Sequence, residues 1–178
     1  HLTATGDGVR TRSRKASAIR GFFRYYHNIV QKLEVNPAEN LELPNEQSSL
    51  PHFLTLEQSF GLLGSLDPES KSYARDFCIL TLFLNCGMRL SELVGLNLSS
   101  IRDNTLTVLG KGNKERMLYL NDACLDAINS YLPERAKTKV IVDKEALFLS
   151  RSGKRLGQRS VQNIVSAALE RAGLGGMG

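Results

Sequence analysis

The sequence contains no tryptophan, only three cysteines and five prolines in 178 residues, and no long apolar run. An odd number of cysteines without a Cys-x-x-Cys pair predicts neither a disulfide framework nor a zinc site. Since no window approaches the roughly 18 consecutive apolar residues of a membrane-spanning helix, we predict no membrane partner. The reducing cytoplasm is the expected compartment.

Charge and apolar content are ordinary for a globular protein. Hydrophobic residues make up 42% and charged residues 23% of the chain, which argues against a disordered or fibrous protein. The 23 basic residues outnumber the 18 acidic ones, and the first twenty residues hold five basic residues against one acidic residue, Asp7. A basic surface favours a polyanionic partner such as nucleic acid. Because the chain starts without Met, we expect a piece of a longer protein.

Apolar periodicity divides the chain into two parts. Apolar residues recur at spacings of three and four over residues 13–33, which predicts an amphipathic helix. Residues 43–54 contain two prolines and show no periodicity, as in an interdomain linker. We therefore predict two domain parts, at residues 1–42 and 55–178.

The second part predicts a mainly α fold with a small antiparallel β-sheet, which is an α+β fold. Three helices are predicted first: a short helix capped by Thr55, a helix opened by Asp67 and Pro68 and ended by Gly87, and a short helix at 90–96. Two β-strands follow at 105–109 and 117–120, and then a helix capped by Asn121 or Asp122. A third strand is predicted at 147–149, and a last helix after the turn at 151–155. The loop between the first two strands is rich in turn-forming residues, so these strands are predicted to form a β-hairpin.

The first candidate binding or catalytic segment is Gly-Met-Arg-Leu-Ser-Glu-Leu at residues 87–93. It places Arg89 at a helix start, where free backbone N–H groups and a guanidinium can hold one phosphate or carboxylate. Glu92, three residues later, can reach back and orient that guanidinium. On spacing alone, an ordinary salt bridge within one helical turn is the favoured interpretation, since such pairs are common.

The second segment is Gly-Lys-Gly-Asn-Lys-Glu-Arg at residues 110–116. Glycines on both sides of Lys111 allow a tight turn and the close approach of a nucleic-acid backbone. The spacing matches neither a P-loop nor a dinucleotide-binding fingerprint, so ATP chemistry is not indicated. A solvated basic hairpin without a ligand is the alternative.

Together the two segments resemble the tyrosine recombinase (phage-type integrase) family, and within it the Xer-like branch. Residues 12–40 resemble the last part of that family's helical N-terminal core-binding domain, and residues 55–173 resemble the first part of its catalytic domain. The resemblance implies a recombinase catalytic core preceded by the last helix or helices of a DNA-binding domain.

The resemblance also assigns roles to three residues. Arg89 is implied to be the first of two catalytic arginines, Glu92 its supporting acid, and Lys111 the hairpin lysine. In the family, a tyrosine hydroxyl attacks a DNA phosphodiester and forms a 3′-phosphotyrosyl bond. An arginine holds the non-bridging oxygens as charge develops, and a lysine protonates the departing 5′ oxygen. This chemistry requires no metal and no cofactor.

The family's His-x-x-Arg box and nucleophilic tyrosine have no counterpart in this sequence. All three histidines precede residue 87, and none is followed three residues later by arginine. We therefore expect the nucleophile to lie outside this chain, so that the chain binds DNA without cleaving it. A non-catalytic DNA-binding module is the alternative. The family also implies a tetramer assembled on the DNA recombination site.

The remaining basic residues are predicted to contact double-stranded DNA through its phosphates. They are Arg10, Arg12, Arg14 and Lys15 before the first helix, Lys114 and Arg116 on the hairpin, and Lys154, Arg155 and Arg159 around the start of the last helix. For each residue taken singly, a solvated surface position is nearly as well supported.

Overall fold

The computed structural model describes residues 6–43, 53–110, 112 and 114–176. The chain forms two compact units, His1–Pro51 and His52–Gly178. The division falls within the segment 43–54, and the assignment of the two parts to family domains stays a prediction. Within the described ranges, no helix has the length and apolar content needed to cross a lipid bilayer.

The first unit is built around helix α1, Val9–Asn28. This helix begins and ends earlier than the predicted 13–33. Arginine and lysine are good helix formers, so the helix extends back to Gly8. At the other end, Gln31 adopts a positive φ of 55°, which stops the helix before the last apolar residues of the stripe.

The second unit begins with α2, Leu56–Gly64, which Thr55 caps as predicted by accepting a hydrogen bond from the Gln58 N–H. Helix α3 is Tyr73–Cys86, so the predicted start at Asp67 is wrong. The Asp67 carboxylate accepts from the Glu69 N–H instead and forms a local turn. The predicted end at Gly87 is confirmed.

Three antiparallel strands follow the short helix α4, Leu90–Gly95. They are β1, Ile101–Arg102; β2, Thr105–Leu109; and β3, Glu115–Tyr119, in that spatial order. The predicted third strand at 147–149 is wrong, although its residues are buried. Their backbone groups bond elsewhere: the Leu147 N–H donates to the Leu96 carbonyl and the Leu149 N–H donates to the Tyr131 hydroxyl.

Helices α5, Asp122–Ala136, and α6, Gln158–Arg171, complete the unit. Helix α3 packs against α5 and supplies much of the core. Fully buried side chains come from α3, α4, β2, α5, α6 and the segment between α5 and α6: Ile79, Leu82, Leu93, Leu106, Cys124, Leu147 and Val161. The described residues therefore form a mainly helical α+β fold, as predicted, and burial of this apolar surface is its main stabilising term.

The buried guanidinium of Arg135 fixes the segment after α5. Its Nε donates to the carbonyls of Ala146 and Leu147, at 3.0 and 3.1 Å. Its Nη2 donates to the carbonyls of Lys144 and Ala146, at 2.9 and 2.7 Å. One side chain thereby satisfies three backbone acceptors in a segment without regular structure.

We predict that Arg135→Met lowers the free energy of unfolding of the second unit by about 2–4 kcal/mol, because three carbonyls lose a charged donor. The matched control is Lys137→Met, which removes an exposed cation paired with Glu134 at 2.6 Å and should change stability by about 0.5 kcal/mol or less. Urea denaturation followed by circular dichroism measures both. Equal effects of the two substitutions would contradict the role given to Arg135.

Candidate active site at the start of helix α4

The end of α3 and the start of α4 present Arg89 to solvent. Gly87 takes a left-handed conformation with φ 55° and ends α3, and its N–H donates to the Phe83 carbonyl. The chain then buries Met88 in the core. Arg89 is the residue that precedes α4, and its side chain is 72% exposed. The buried side chains of Met88 and Leu93, on either side of Arg89, therefore hold the backbone of Arg89 in place while its guanidinium stays exposed.

Glu92 is the acidic centre of the site, with a side chain only 1% exposed. One carboxylate oxygen, Oε2, accepts from the Arg89 backbone N–H at 2.7 Å and from the Arg116 Nη2 at 2.8 Å. The other, Oε1, accepts from the Arg89 Nη1 at 2.9 Å. The carboxylate thus holds both the backbone and the side chain of Arg89 and joins them to strand β3.

The contacts of Glu92 determine its charge. Burial raises the pKa of the Glu92 carboxyl, but the hydrogen bonds from the Arg89 N–H, Arg116 and the Arg89 side chain outweigh burial and lower the pKa to about 2. Glu92 is therefore ionised at neutral pH. A buried carboxylate of fixed charge is paired with two partly exposed guanidinium groups.

The β-hairpin reaches the same carboxylate. Arg116 lies opposite Val108 in the β2–β3 register, on the inward face of the sheet. Gly110 closes the end of the hairpin ladder, since its N–H donates to the Lys114 carbonyl at 2.8 Å. A Cβ added at Gly110 would lie 3.3 Å from that carbonyl oxygen and 3.8 Å from the Glu92 Oε1. The base of the hairpin turn therefore packs directly beside Glu92.

This arrangement suits an oxyanion bound outside the protein core. Glu92 occupies only the Nη1 group of Arg89, and among the described residues no acceptor meets its Nε or Nη2. These donors face solvent in a fixed orientation. Guanidinium groups of this kind bind two oxygens of one phosphate or carboxylate.

The predicted hairpin residues fall into three cases. Lys111 lies outside the described residues. Lys114 is exposed at the hairpin turn. Arg116, predicted to contact DNA, directs its Nη2 to Glu92 and so belongs to the Arg89 cluster. Strand alternation indicates that Arg116 lies on the inward face of β3, because Arg116 and Leu118 share the face opposite to Met117. The sequence pattern did not identify Glu92 as the partner of Arg116.

The basic residues of α1 lie within the helix rather than before it, because α1 begins at Val9. Arg10 and Arg14 are exposed. Lys15 pairs with Asp7 at 2.6 Å. The Nε of Arg12 is buried and has no hydrogen-bond partner among the described residues. These side chains occupy the first two turns of one helix.

Near α6, Lys154 and Arg159 are exposed, whereas Arg155 is used inside the unit. The Arg155 Nε pairs with Asp143 at 3.0 Å, and its Nη2 donates to the Asn97 side chain at 2.6 Å. Its Nη1 donates to two backbone carbonyls that follow α4 or lie within it. The nitrogen donors of Arg155 therefore have acceptors within the unit, and its DNA contact stays a prediction.

The part of the chain that the structure describes contains no group of three or more histidine, cysteine, aspartate or glutamate side chains placed to hold a metal ion. The site consists of two guanidinium groups and a carboxylate. It can bind and orient an anion through hydrogen bonds and charge.

The Phage integrase family matches residues 52–176, which include Arg89, Glu92 and the whole hairpin segment. The chain belongs to the phage integrase family. Among curated relatives, it is 47% identical over 165 residues to "Tyrosine recombinase XerC" of Caldanaerobacter subterraneus subsp. tengcongensis, covering 93% of this chain and 46% of that protein. A XerC of Chlamydia muridarum is 36% identical, with 97% of this chain and 55% of that protein covered. The Xer-like branch is thereby confirmed, and the chain spans about half the length of these relatives.

Solved structures agree on the fold. The crystal structure of XerA recombinase matches with a TM-score of 0.61 at 25% identity, over 88% of this chain and 54% of that one. XerH site-specific recombinase bound to its difH substrate in a post-cleavage complex matches with a TM-score of 0.76 at 22% identity, over 97% of this chain and 53% of that one. The architecture of the family is therefore present.

We predict that Glu92→Gln lowers the free energy of unfolding by about 2 kcal/mol at pH 7, because the amide loses the charge that attracts three donors. The pKa of Glu92 is lowered in the folded chain, so the stabilisation is complete above its ordinary value of 4.5 and is lost as the pH falls through about 2. The stability difference between the variant and the parent chain should therefore shrink as the pH falls from 4.5 to 2.

Glu134→Gln is the matched control, since that carboxylate forms an exposed pair with Lys137. Urea denaturation over this pH range measures the free energy of unfolding of the parent chain and of both variants. A stability difference for Glu92→Gln that persists unchanged at pH 2, or that equals the control at pH 7, would contradict a charged Glu92.

Proposed function

We propose that this chain is part of a site-specific DNA recombinase in which Arg89 binds the phosphate to be broken. The observation that carries the proposal is the contact set of Glu92, which holds an exposed Arg89 beside the base of the hairpin. Membership of the phage integrase family supports the same chemistry.

In this proposal Arg89 stabilises charge on the non-bridging oxygens as a tyrosine oxygen bonds to phosphorus and the bond to the 5′ oxygen breaks. A donor fixed before the reaction needs no reorganisation, which is why preorganised hydrogen bonds accelerate such steps. Glu92 positions Arg89 and Arg116. Lys111 follows Gly110 in the sequence and is proposed to give its proton to the departing 5′ oxygen.

The proposed DNA surface uses Arg10, Arg12, Arg14, Lys15, Lys114, Lys154 and Arg159. Residues 1–42 are proposed to belong to a core-binding domain and residues 55–178 to the catalytic domain. The intact protein is proposed to act in the cytoplasm as a tetramer on its recombination site. Phosphate contacts from these residues would position the duplex, since such contacts fix register and orientation.

The chain itself should bind DNA without cleaving it. Binding to a duplex should weaken steeply as salt rises, because each neutralised phosphate releases counterions. With a suicide substrate it should form no covalent protein–DNA adduct, which denaturing electrophoresis would detect. An adduct would place the nucleophile within this chain. Binding that does not respond to salt would contradict the phosphate contacts.

In the intact protein, Arg89→Ala should slow DNA cleavage by roughly 10²–10³-fold, about 3 kcal/mol, while leaving DNA affinity largely unchanged. Arg102→Ala is the matched control, because it removes another exposed arginine, from strand β1. Single-turnover cleavage and filter binding separate the two effects. Loss of affinity without loss of the cleavage rate would assign Arg89 to DNA binding and contradict its role in the cleavage step.

Lys111→Ala in the intact protein should be rescued by a substrate whose 5′ oxygen is replaced by sulfur, because a thiolate leaves without a proton. Lys114→Ala removes the same charge from the same hairpin and should respond equally to both substrates. The measurement is the ratio of cleavage rates on sulfur and oxygen substrates. An unchanged ratio for Lys111→Ala would exclude the role of general acid.

A further inference from the structure

A basic cavity of about 550 Å³ lies at the end of α3 that is remote from Arg89. Helices α3 and α5 run antiparallel, since Cys86 at the end of α3 meets Cys124 in the first turn of α5 with their sulfurs 3.8 Å apart. The cavity is lined by the start of α3 and the end of α5. Because α3 has 14 residues, about 20 Å of helix separates the cavity from Arg89. The two sites are therefore distinct.

The charge of this cavity is almost entirely positive. Its lining contains a single carboxylate, that of Glu134, among the described residues. The six cationic residues that line it are Lys71, Arg75, Arg135, Lys137, Lys139 and Arg151. Like charges that converge on one cavity repel one another, so their arrangement favours an anion bound among them.

Half of these cations are free to bind a ligand. Among the described residues, the side chains of Lys71, Lys139 and Arg151 are exposed and make no ion pair or hydrogen bond. The others are held in place. Arg75 pairs with Asp76 and donates to the Leu149 carbonyl. The cavity thus combines cations that have intramolecular partners with three exposed cations that have none among the described residues.

Tyr131 and Arg135 complete the lining. The Tyr131 hydroxyl accepts from the Leu149 N–H at 3.2 Å, and its own O–H has no acceptor among the described residues. Arg135 is 8% exposed and uses Nε and Nη2 on backbone carbonyls, which leaves Nη1 without an acceptor in the described part of the chain. Both residues line the cavity, so these donors are available to the oxygens of a ligand.

We propose that this cavity is a second anion site, which binds a small ligand carrying more than one phosphate charge. Guanidinium and ammonium groups hold phosphate oxygens through charge-assisted hydrogen bonds. The volume lies within the range of small-molecule sites, roughly 300–1,000 Å³. Duplex DNA is convex and spreads its phosphates along its length, whereas these cations converge on one concave site. A compact polyanion fits that geometry.

The test is calorimetric titration of the 178-residue chain with inorganic pyrophosphate. We expect saturable binding that persists in Arg89→Ala, because the cavity is distant from that site. The double variant Lys71→Ala/Arg151→Ala should weaken this binding by about tenfold or more, because it removes two of the three free cations. The control Arg102→Ala/Arg171→Ala removes the same charge from exposed positions outside the cavity, and should change affinity by about twofold or less.

Four outcomes would overturn the proposal. The first three are the absence of saturable heat, the loss of all binding in Arg89→Ala, and equal weakening of binding in the two double variants. The fourth is that a short DNA duplex or polyglutamate displaces pyrophosphate and itself binds more weakly to Lys71→Ala/Arg151→Ala. The last outcome would assign the cavity to a nucleic-acid or protein partner instead. The cavity contains none of the residues proposed for DNA cleavage. Failure of the anion-site proposal would therefore leave the proposed recombinase function unaffected. Circular dichroism melts check that each variant is folded.

Discussion

The candidate active site depends on one buried carboxylate. Glu92 accepts hydrogen bonds from the backbone and side chain of Arg89 and from Arg116, which lies 24 residues further along the chain. Without this carboxylate, the exposed guanidinium of Arg89 would keep many rotamers and the base of the hairpin would have no ionic partner at α4. The physical constraint is that a buried charge must be paired, and here the pairing assembles a site from a helix start and a strand.

The rest of the second unit supports this constraint. Helix α3 is buried in the core and ends at Gly87, whose left-handed conformation turns the chain toward Arg89. Leu93 anchors α4 in the same core. The hairpin lies close to α4, since a Cβ at position 110 would be 3.8 Å from the Glu92 Oε1. Packing therefore sets the position of the guanidinium, and electrostatics sets its orientation.

Local signals in the sequence were sufficient for part of this result. The spacing of Arg89 and Glu92 predicted their contact, and Gly87 predicted the end of α3. The partner of Arg116 depended on the register of β3, which local spacing does not contain. The intramolecular partners of Arg155 were not predicted, because acceptors such as the Val94 carbonyl lie about 60 residues away in sequence. The strand predicted at 147–149 failed for a similar reason, since long-range partners such as Leu96 take its backbone groups.

The ionisation of Glu92 tests the central claim most directly. Carbon-13 NMR of the labelled chain can follow the Glu92 carboxyl carbon as the pH is lowered. The account predicts a midpoint near pH 2, well below the ordinary value of 4.5, because three donors stabilise the carboxylate. A midpoint at or above 4.5 would mean that burial outweighs these contacts, and it would contradict a charged Glu92 that holds Arg89 and Arg116 together.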